Sequence, residues 1–356
     1  MRCDIIIPVW NQPDVTKDCI DSILKNTAYP FRLIIIDNGS GKPTADYLKS
    51  LNSVKDPDLL LIKNAENLGF VKATNQGMLA SDAPTVCLMN NDTIVTPEWL
   101  GEMIRVIETS PEIGIVNPSS NTLGQHAPRG ESVESYASSL KRFKGQTQEM
   151  YSVRGFCMLI KRAVIGRIGF FDEEYGTGYF EENDYSVRAH KAGFRIVRAK
   201  GAYVYHKEET TFKCMVNKSA LFKASEKVYN RKWGRPLDLI LVTRQNDFFT
   251  SRMPIIEKLL GSGHKITVFS DKKYVSSGPM DHINLKGRHL SRFLFLLGVS
   301  YKIRRRRKKG IDCVIADGDR LHKSLKALSF IHGIEIIKLD DSAALEYCDK
   351  LSRKGF

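Results

Sequence analysis

The chain has 356 residues, more than one typical domain holds, so two domains with separate cores are expected. Its composition, 42% hydrophobic and 26% charged, is ordinary for a soluble globular protein. The apolar run FLFLLGV is seven residues long, far below the roughly 20 that a membrane-spanning helix needs. The start MRCDIIIPVWNQPD turns polar after a strand-length segment, unlike a signal peptide, so a cytosolic chain is expected. Seven cysteines, Cys3, Cys19, Cys87, Cys157, Cys214, Cys313 and Cys348, are odd in number and never in C-x-x-C spacing. That argues for reduced thiols and against a disulfide framework or a zinc cluster.

The net charge of +14 is uneven: residues 237–356 carry 23 basic and 13 acidic residues, a surplus of +10. Its densest point is residues 304–309, RRRRKK, after the apolar stretch RFLFLLGVSYKI. A solvated helix face is one reading of that run. An anionic membrane surface is the preferred functional one, since each Lys or Arg near acidic lipid contributes about 1 kcal/mol. Nucleic acid is not expected as a partner, because no interleaved aromatics or recognition motif accompany the run.

In chain order, DIIIPVW, FRLIIID, LLLIK, TVCLMN and IGIVN read as strands, nearly all apolar as in a sheet covered on both faces. Between them DVTKDCIDSILKN, TADYLKSL, FVKATNQGMLA and TPEWLGEMIRVIE read as helices, which predicts an α/β fold with a mostly parallel sheet. Residues 117–148 are polar and rich in Ser, Gly and Pro, and read as a mobile loop. DYSVRAHKAGF and NKSALFKASEKVYNRKW read as helices, and the break at Gly234, Arg235 and Pro236 separates a domain 1–235 from a domain 236–356. In the second, LDLILV, SRMPIIEKLL, GSGH and KITVFS form a βαβ unit, and DCVIA and IEIIKL are further strands, predicting a smaller Rossmann-like α/β domain.

Within TVCLMNNDTIV, Asn90, Asn91 and Asp92 interrupt an apolar run. They serve either as a turn and helix cap or as a ligand site at the carboxyl end of a parallel strand. Other segments fall on the same rim: Pro8, Val9, Trp10 and Asn11 end the first strand, and Asp37, Asn38, Gly39 and Ser40 end the second. Asn64 to Gly69 follows a third, where glycine permits close backbone approach. Glu181, Glu182 and Asp184 open a helical pattern after Tyr179 and Phe180. Helix-dipole compensation explains them, and so does a partly desolvated general base. His206 ends the run GAYVYH. It reads as a structural histidine or, with an Asp, as a ligand for Mn2+ or Mg2+ whose shell diphosphate oxygens and water complete.

The ordered set IIIPVWN, IIIDNGS, NAENLGFVKATNQG, LMNNDT, RGFCMLIKR, IGFFDEEYGTGYFEENDYSVRAHKAGFRI and YVYH makes residues 1 to about 235 resemble a family 2 glycosyltransferase of the GT-A fold. The resemblance implies a nucleotide-sugar donor, a divalent metal and an inverting mechanism. It places Pro8, Val9, Trp10 and Asp37 around the nucleotide base, with Asn64 and Gly69 beside it. Asn90, Asn91 and Asp92 stand at the family's D-x-D motif, where Asn90 replaces the first Asp and leaves Asp92 as the only carboxylate. Glu182 takes the place of the catalytic base, flanked by Glu181 and Asp184; His206 is a metal ligand; Gly155 and Phe156 lie on the acceptor side. NAENLGFVKATNQG is most similar to rhamnosyl- and related transferases, which implies dTDP- or UDP-sugar donors and a surface polysaccharide or lipid-linked glycan as acceptor, at the cytosolic membrane face. The C-terminal part more loosely resembles the acceptor-side, N-terminal half of a GT-B glycosyltransferase. Two other classes compete. A sugar-phosphate nucleotidyltransferase would need a Gly-rich loop after the first strand, where PVWNQPD has no glycine; a non-catalytic nucleotide- or glycan-binding pseudo-transferase is kept in view by Asn90.

Overall fold

A computed structural model describes residues 2–51, 58–208, 218–272, 284–291, 293–307 and 310–354. The chain folds as two compact units, Met1–Val228 and Tyr229–Phe356.

Unit one is built on a nine-stranded sheet. Its strands are β1 (Cys3–Val9), β2 (Phe31–Asn38), β3 (Asp58–Asn64), β4 (Thr85–Met89), β5 (Thr93–Val95), β6 (Ile113–Ser119), β7 (Thr147–Glu149), β8 (Cys157–Lys161) and β9 (Arg195–His206). The order is β3-β2-β1-β4-β8-β6-β9-β5, with β7 on β9. The first four neighbours run parallel. β8 is antiparallel to both β4 and β6, and β9 is parallel to β6, so the α/β class read from the sequence holds.

Alternation along the buried strands divides the work between two helix layers. Ile5, Ile7, Leu33 and Ile35 share a core with Cys19, Ile20 and Ile23 of the helix Pro13–Asn26. Ile6 and Ile36 point the other way, against the helix Phe70–Ala80, at Gly77. A Cβ added there would lie 2.3 Å from Ile6 Cγ2 and 2.9 Å from Ile36 Cδ1. That close approach carries the start of the helix, and the Gly69 turn before it, up to the rim.

Residues 117–148 are not a mobile loop. They hold the end of β6, the helix Val133–Leu140 and β7. Ala137 and Leu140 bury against Tyr203 of β9, with Val133 packed alongside. This i, i+4, i+7 apolar stripe is hidden among serines, and it docks on a strand more than sixty residues away in sequence. GAYVYH proves to be only the end of β9, which starts at Arg195.

Unit two has five strands, β10 (Asp238–Thr243), β11 (Lys265–Ser270), β12 (Leu285–His289), β13 (Cys313–Ala316) and β14 (Ile336–Lys338). They are all parallel in the order β12-β11-β10-β13-β14. One core lies on each face of this sheet, as the Rossmann-like reading expects. The six cysteines among the described residues are free and buried; Cys214 lies outside them.

Gly77→Ala should cost about 1–3 kcal/mol of unfolding free energy in urea titration, through overpacking against two β-branched side chains. Gly101→Ala, where an added Cβ meets nothing within 4 Å, should be neutral or stabilising. Equal stability of the two variants would contradict this packing.

Candidate active site

In register, Val9 pairs with Asp37 and Ile6 with Leu88, so the carboxyl ends of β1, β2 and β4 form one rim. The turn after β1 uses Asn11 and Gln12 at φ 58° and 60°. Asn11 N–H donates to Ser40 Oγ at 2.9 Å, and Gly41 N–H donates back to Asn11 Oδ1 at 2.8 Å. Asp37 is buried and accepts from Ser40 N–H at 2.9 Å through Oδ1. Val9 belongs to the apolar core, while Pro8 and Trp10 are half-buried at the edge.

Beyond β3 the amides form a ladder. Asn64 Nδ2 donates to Asn38 Oδ1 at 3.0 Å and to Gln76 Oε1 at 2.8 Å, and Gln76 Nε2 returns a bond to Asn64 Oδ1 at 2.9 Å. Asn38 Nδ2 reaches Asn67 Oδ1 at 2.8 Å, and Asn67 Oδ1 also accepts from Gly69 N–H at 2.9 Å. Asn64 is thereby committed to holding this turn, with little capacity left for a ligand. Gly69, at φ 86°, lets Gly176 and Thr177 come within 3.1 Å of where a Cβ would stand.

The triplet after β4 divides three ways. Asn91 Nδ2 donates to Thr16 Oγ1 at 2.9 Å and is buried, so it anchors the turn. The Asn90 side-chain amide, half-buried, makes no hydrogen bond among the described residues; its backbone N–H donates to Phe156 O at 2.9 Å. Asp92 faces β9, whose last residue, His206, pairs with Thr93.

His206 is held from several sides. Its ring stacks on Phe156, with centroids 5.3 Å apart and planes at 19°. Asn121 accepts from its backbone N–H at 2.9 Å and donates to its carbonyl at 2.8 Å. Nδ1 lies 3.0 Å from Thr122 Oγ1, whose hydroxyl donates to Glu208 Oε1 at 3.1 Å. Nε2 sits 3.0 Å from Asp92 Oδ1, a separation that suits either a ring N–H donating to the carboxylate or a cation held between the two. Adjacent ligands in an octahedral shell with bonds of about 2.1 Å stand about 3.0 Å apart, so this pair fits a divalent cation. Among the described residues no cluster of three His, Cys, Asp or Glu is present, which leaves the remaining positions of such a shell to water and substrate oxygens.

The acidic couplet opens the helix Glu181–Lys191. Before it, Tyr179 and Phe180 both adopt left-handed backbone, φ 70° and 69°. Such conformations cost about 1–3 kcal/mol each in bulky residues and cluster at functional sites. Their rings pack on Phe222, and Ser225 Oγ donates to Gly178 O at 2.9 Å. Glu181 is 5% exposed, and Oε2 of both glutamates is buried without a hydrogen-bond partner. Burial, then the neighbouring Glu182 charge, pushes Glu181 well above the ordinary glutamate range. Burial raises Glu182 as well, opposed by the Arg154 guanidinium. Both carboxyls are therefore pushed toward the protonated form, Glu181 the more strongly. Asp184 is spent differently: Arg188 Nε donates to it at 2.7 Å and Tyr175 OH at 3.3 Å, while the same guanidinium reaches Ile168 O and Phe170 O.

A short segment joins the two halves of the site. Ser186 Oγ, one turn along the helix, donates to Glu182 O at 2.6 Å and accepts from Val153 N–H at 3.1 Å. Arg154 N–H donates to Asn117 Oδ1 at 2.8 Å, and Asn117 Nδ2 donates to Cys157 O at 2.5 Å. Gly155 follows with open space around it, then Phe156 under His206. Sequence reasoning missed Asn117, Thr122, Arg154 and Glu208. Only Asn117 carried a signal, as a polar residue closing an apolar run.

Glu181 predicts a specific pH dependence. Its folded-state affinity for the proton exceeds the unfolded one, so its stabilisation is complete below the ordinary value of 4.5 and is lost as pH rises above it. Glu181→Gln should remove this loss: relative to wild type, its denaturation midpoint should rise progressively as pH climbs from 4.5 to 8. A difference that is flat or falls with pH would contradict the buried, protonated carboxyl.

Residues 4–169 match the family described as Glycosyl transferase family 2, a span that includes the rim from Pro8 to Phe156 and ends before Glu181. The uncharacterized protein y4gI of Sinorhizobium fredii is 27% identical over 250 residues, covering 64% of this chain and 27% of that protein. The O-antigen biosynthesis protein RfbC of Myxococcus xanthus is 24% identical over 254 residues, covering 66% and 19%. A poly-beta-1,6-N-acetyl-D-glucosamine synthase of Staphylococcus aureus is 25% identical over 196 residues, covering 54% and 46%. The chain thus spans less than half the length of each of these relatives. The ordered motifs, the strand-end rim that gathers them and the family match lead to one conclusion: residues 4–169 of this chain form a glycosyl transferase family 2 region.

Proposed function

We propose that unit one is an inverting, metal-dependent glycosyltransferase moving a sugar from a dTDP- or UDP-sugar to a hydroxyl of a growing surface polysaccharide or lipid-linked glycan at the cytosolic membrane face. The observation that carries the reading is the Asp92 Oδ1 to His206 Nε2 separation of 3.0 Å at the strand-end rim, which residues 153–157 tie to the helix that Glu181 and Glu182 open. The relatives named for O-antigen biosynthesis and for poly-beta-1,6-N-acetyl-D-glucosamine synthesis support the polysaccharide class.

Asp92 and His206 would hold Mn2+ or Mg2+, which as a Lewis acid offsets the charge that builds on the departing diphosphate. Asp37 keeps Oδ2 for a ribose hydroxyl or a pyrimidine N–H, since Oδ1 is taken by Ser40. The Asn90 amide offers a second bond to ribose, while the space beside Gly69 is taken by Gly176 and Thr177 of the chain itself. Glu182 takes the proton of the acceptor hydroxyl as that oxygen attacks the anomeric carbon from the face opposite the diphosphate. One displacement inverts the configuration, with no covalent nucleophile. Gly155 leaves room beside Phe156 for the acceptor. Asn64, Asn91 and Asp184 act by holding the rim in place rather than by touching the reacting atoms.

Asn90, an amide where a second carboxylate would strengthen cation binding, favours one alternative, a non-catalytic binder of nucleotide or glycan. Calorimetry showing tight UDP or dTDP binding with no turnover of any nucleotide sugar would select it.

Glu182→Gln should lower kcat by about 10²- to 10⁴-fold with the donor Kd unchanged, and EDTA should abolish turnover until Mn2+ is restored. Thr122→Val, which removes the hydroxyl 3.0 Å from His206 Nδ1, should weaken Mn2+ binding in the presence of UDP about 10- to 100-fold by calorimetry. Full activity of Glu182→Gln and of Asp92→Ala would overturn the assigned roles.

A further inference from the structure

Unit two exposes a surface that the transfer reaction does not use. The helix Phe295–Arg307 buries Phe295, Val299 and Ile303 in the core beside the sheet. Its opposite side does not turn polar. Leu294, Leu297 and Tyr301, three and four residues apart and so on one face, are 56%, 54% and 60% exposed, and Phe293 just before them is 93% exposed. Phe330, on the short helix Ser329–His332, is 81% exposed. These five account for most of the exposed large hydrophobics of the described residues, which otherwise lie scattered over unit one. Clustered apolar exposure of this kind marks an interaction surface.

Charge says which partner fits. From Asn284 to Ile311 the sequence has ten Lys or Arg residues and no Asp or Glu. Exposed Arg304 and Arg305 continue the apolar stripe along the helix. Beside it, Lys302, Arg305, Arg306, Arg288 and His289 line a cleft of about 370 Å³ with Phe269 and Leu290. Arg306 is anchored to Thr267 Oγ1 at 2.8 Å, which fixes one wall. The side chain of Arg307 and the whole of residues 308 and 309 lie outside the described set, and the surface is complete without them. A second copy of the chain would bring this Lys- and Arg-rich segment against an equally cationic one. An interface of anionic phospholipid instead supplies negative headgroups for the cleft and acyl chains for the ring and leucine side chains, the pairing on which interfacial helices depend. Among the described residues no helix is long and apolar enough to cross a membrane.

We propose that this face, Phe293, Leu294, Leu297, Tyr301 and Phe330 with Lys302, Arg304 and Arg305, docks unit two onto the surface of an anionic phospholipid bilayer. The site is independent of the donor site of unit one, so its test does not depend on transferase activity.

Co-sedimentation of the full chain with vesicles of phosphatidylcholine alone, and of phosphatidylcholine mixed with phosphatidylglycerol, is the direct measurement. Binding is expected to the mixed vesicles only, and to weaken with added salt. Lys302→Ala with Arg305→Ala should weaken it about 30-fold. Phe293→Ser with Leu297→Ser should weaken it at least as much while leaving salt sensitivity in place; all four positions are exposed, and far-UV circular dichroism checks that the variants fold. No binding to the mixed vesicles, or equal binding by wild type and both double variants, would overturn the proposal. So would binding of free inorganic phosphate without vesicles, or a dimer in sedimentation equilibrium that Phe293→Ser with Leu297→Ser converts to monomer.

Discussion

A carboxylate oxygen and an imidazole nitrogen 3.0 Å apart need a proton or a cation between them. That constraint organises unit one. Asp92 owes its place to the turn that Asn91 anchors on Thr16. His206 owes its place to the β5–β9 register, the Asn121 bracket and the Phe156 ring. Phe156 in turn stands just before β8, the strand that enters antiparallel between β4 and β6. The reversal in the sheet is therefore what brings the aromatic support to the carboxyl ends of the parallel strands. Thr122 holds the other ring nitrogen at 3.0 Å and is itself tied to Glu208.

The acidic couplet follows a different physical logic. Two adjacent carboxyls buried together cannot both ionise cheaply. Arg154 biases which of them keeps the charge. Local backbone strain at Tyr179 and Phe180 sets the direction in which the helix starts and hence where Glu182 points. The aromatic packing on Phe222 and the Ser225 hydrogen bond hold that strain in place. Asp184, only one turn on, lies outside this chemistry because Arg188 has already claimed it.

The parallel core was legible in the sequence because β1, β2 and β4 are buried on both faces and read as unbroken apolar runs. β12 was not legible: LKGRH has only Leu285 buried, and nothing but its neighbour in the sheet makes it a strand. The helix Val133–Leu140 was obscured by serines and is stabilised by Tyr203, a partner no local pattern shows. In the site, Asp92, Glu182 and His206 stood out because ionisable groups at strand or helix ends carry an intrinsic signal. Thr122, Glu208 and Arg154 did not, since their roles arise from which atoms they meet across the fold. The same limit explains Asn64 and Asn91, whose amides look equally suited to a ligand until their internal partners are seen.

The central claim, that side chains far apart in sequence converge on a cation and a diphosphate, is tested most directly by anomalous diffraction from crystals grown with Mn2+ and UDP. The account predicts one manganese peak within bonding distance of Asp92 Oδ1 and His206 Nε2, with the diphosphate on its open side and Glu182 facing the same cavity. Nucleotide bound at a different cleft, or manganese bound without either of those two side chains, would contradict it.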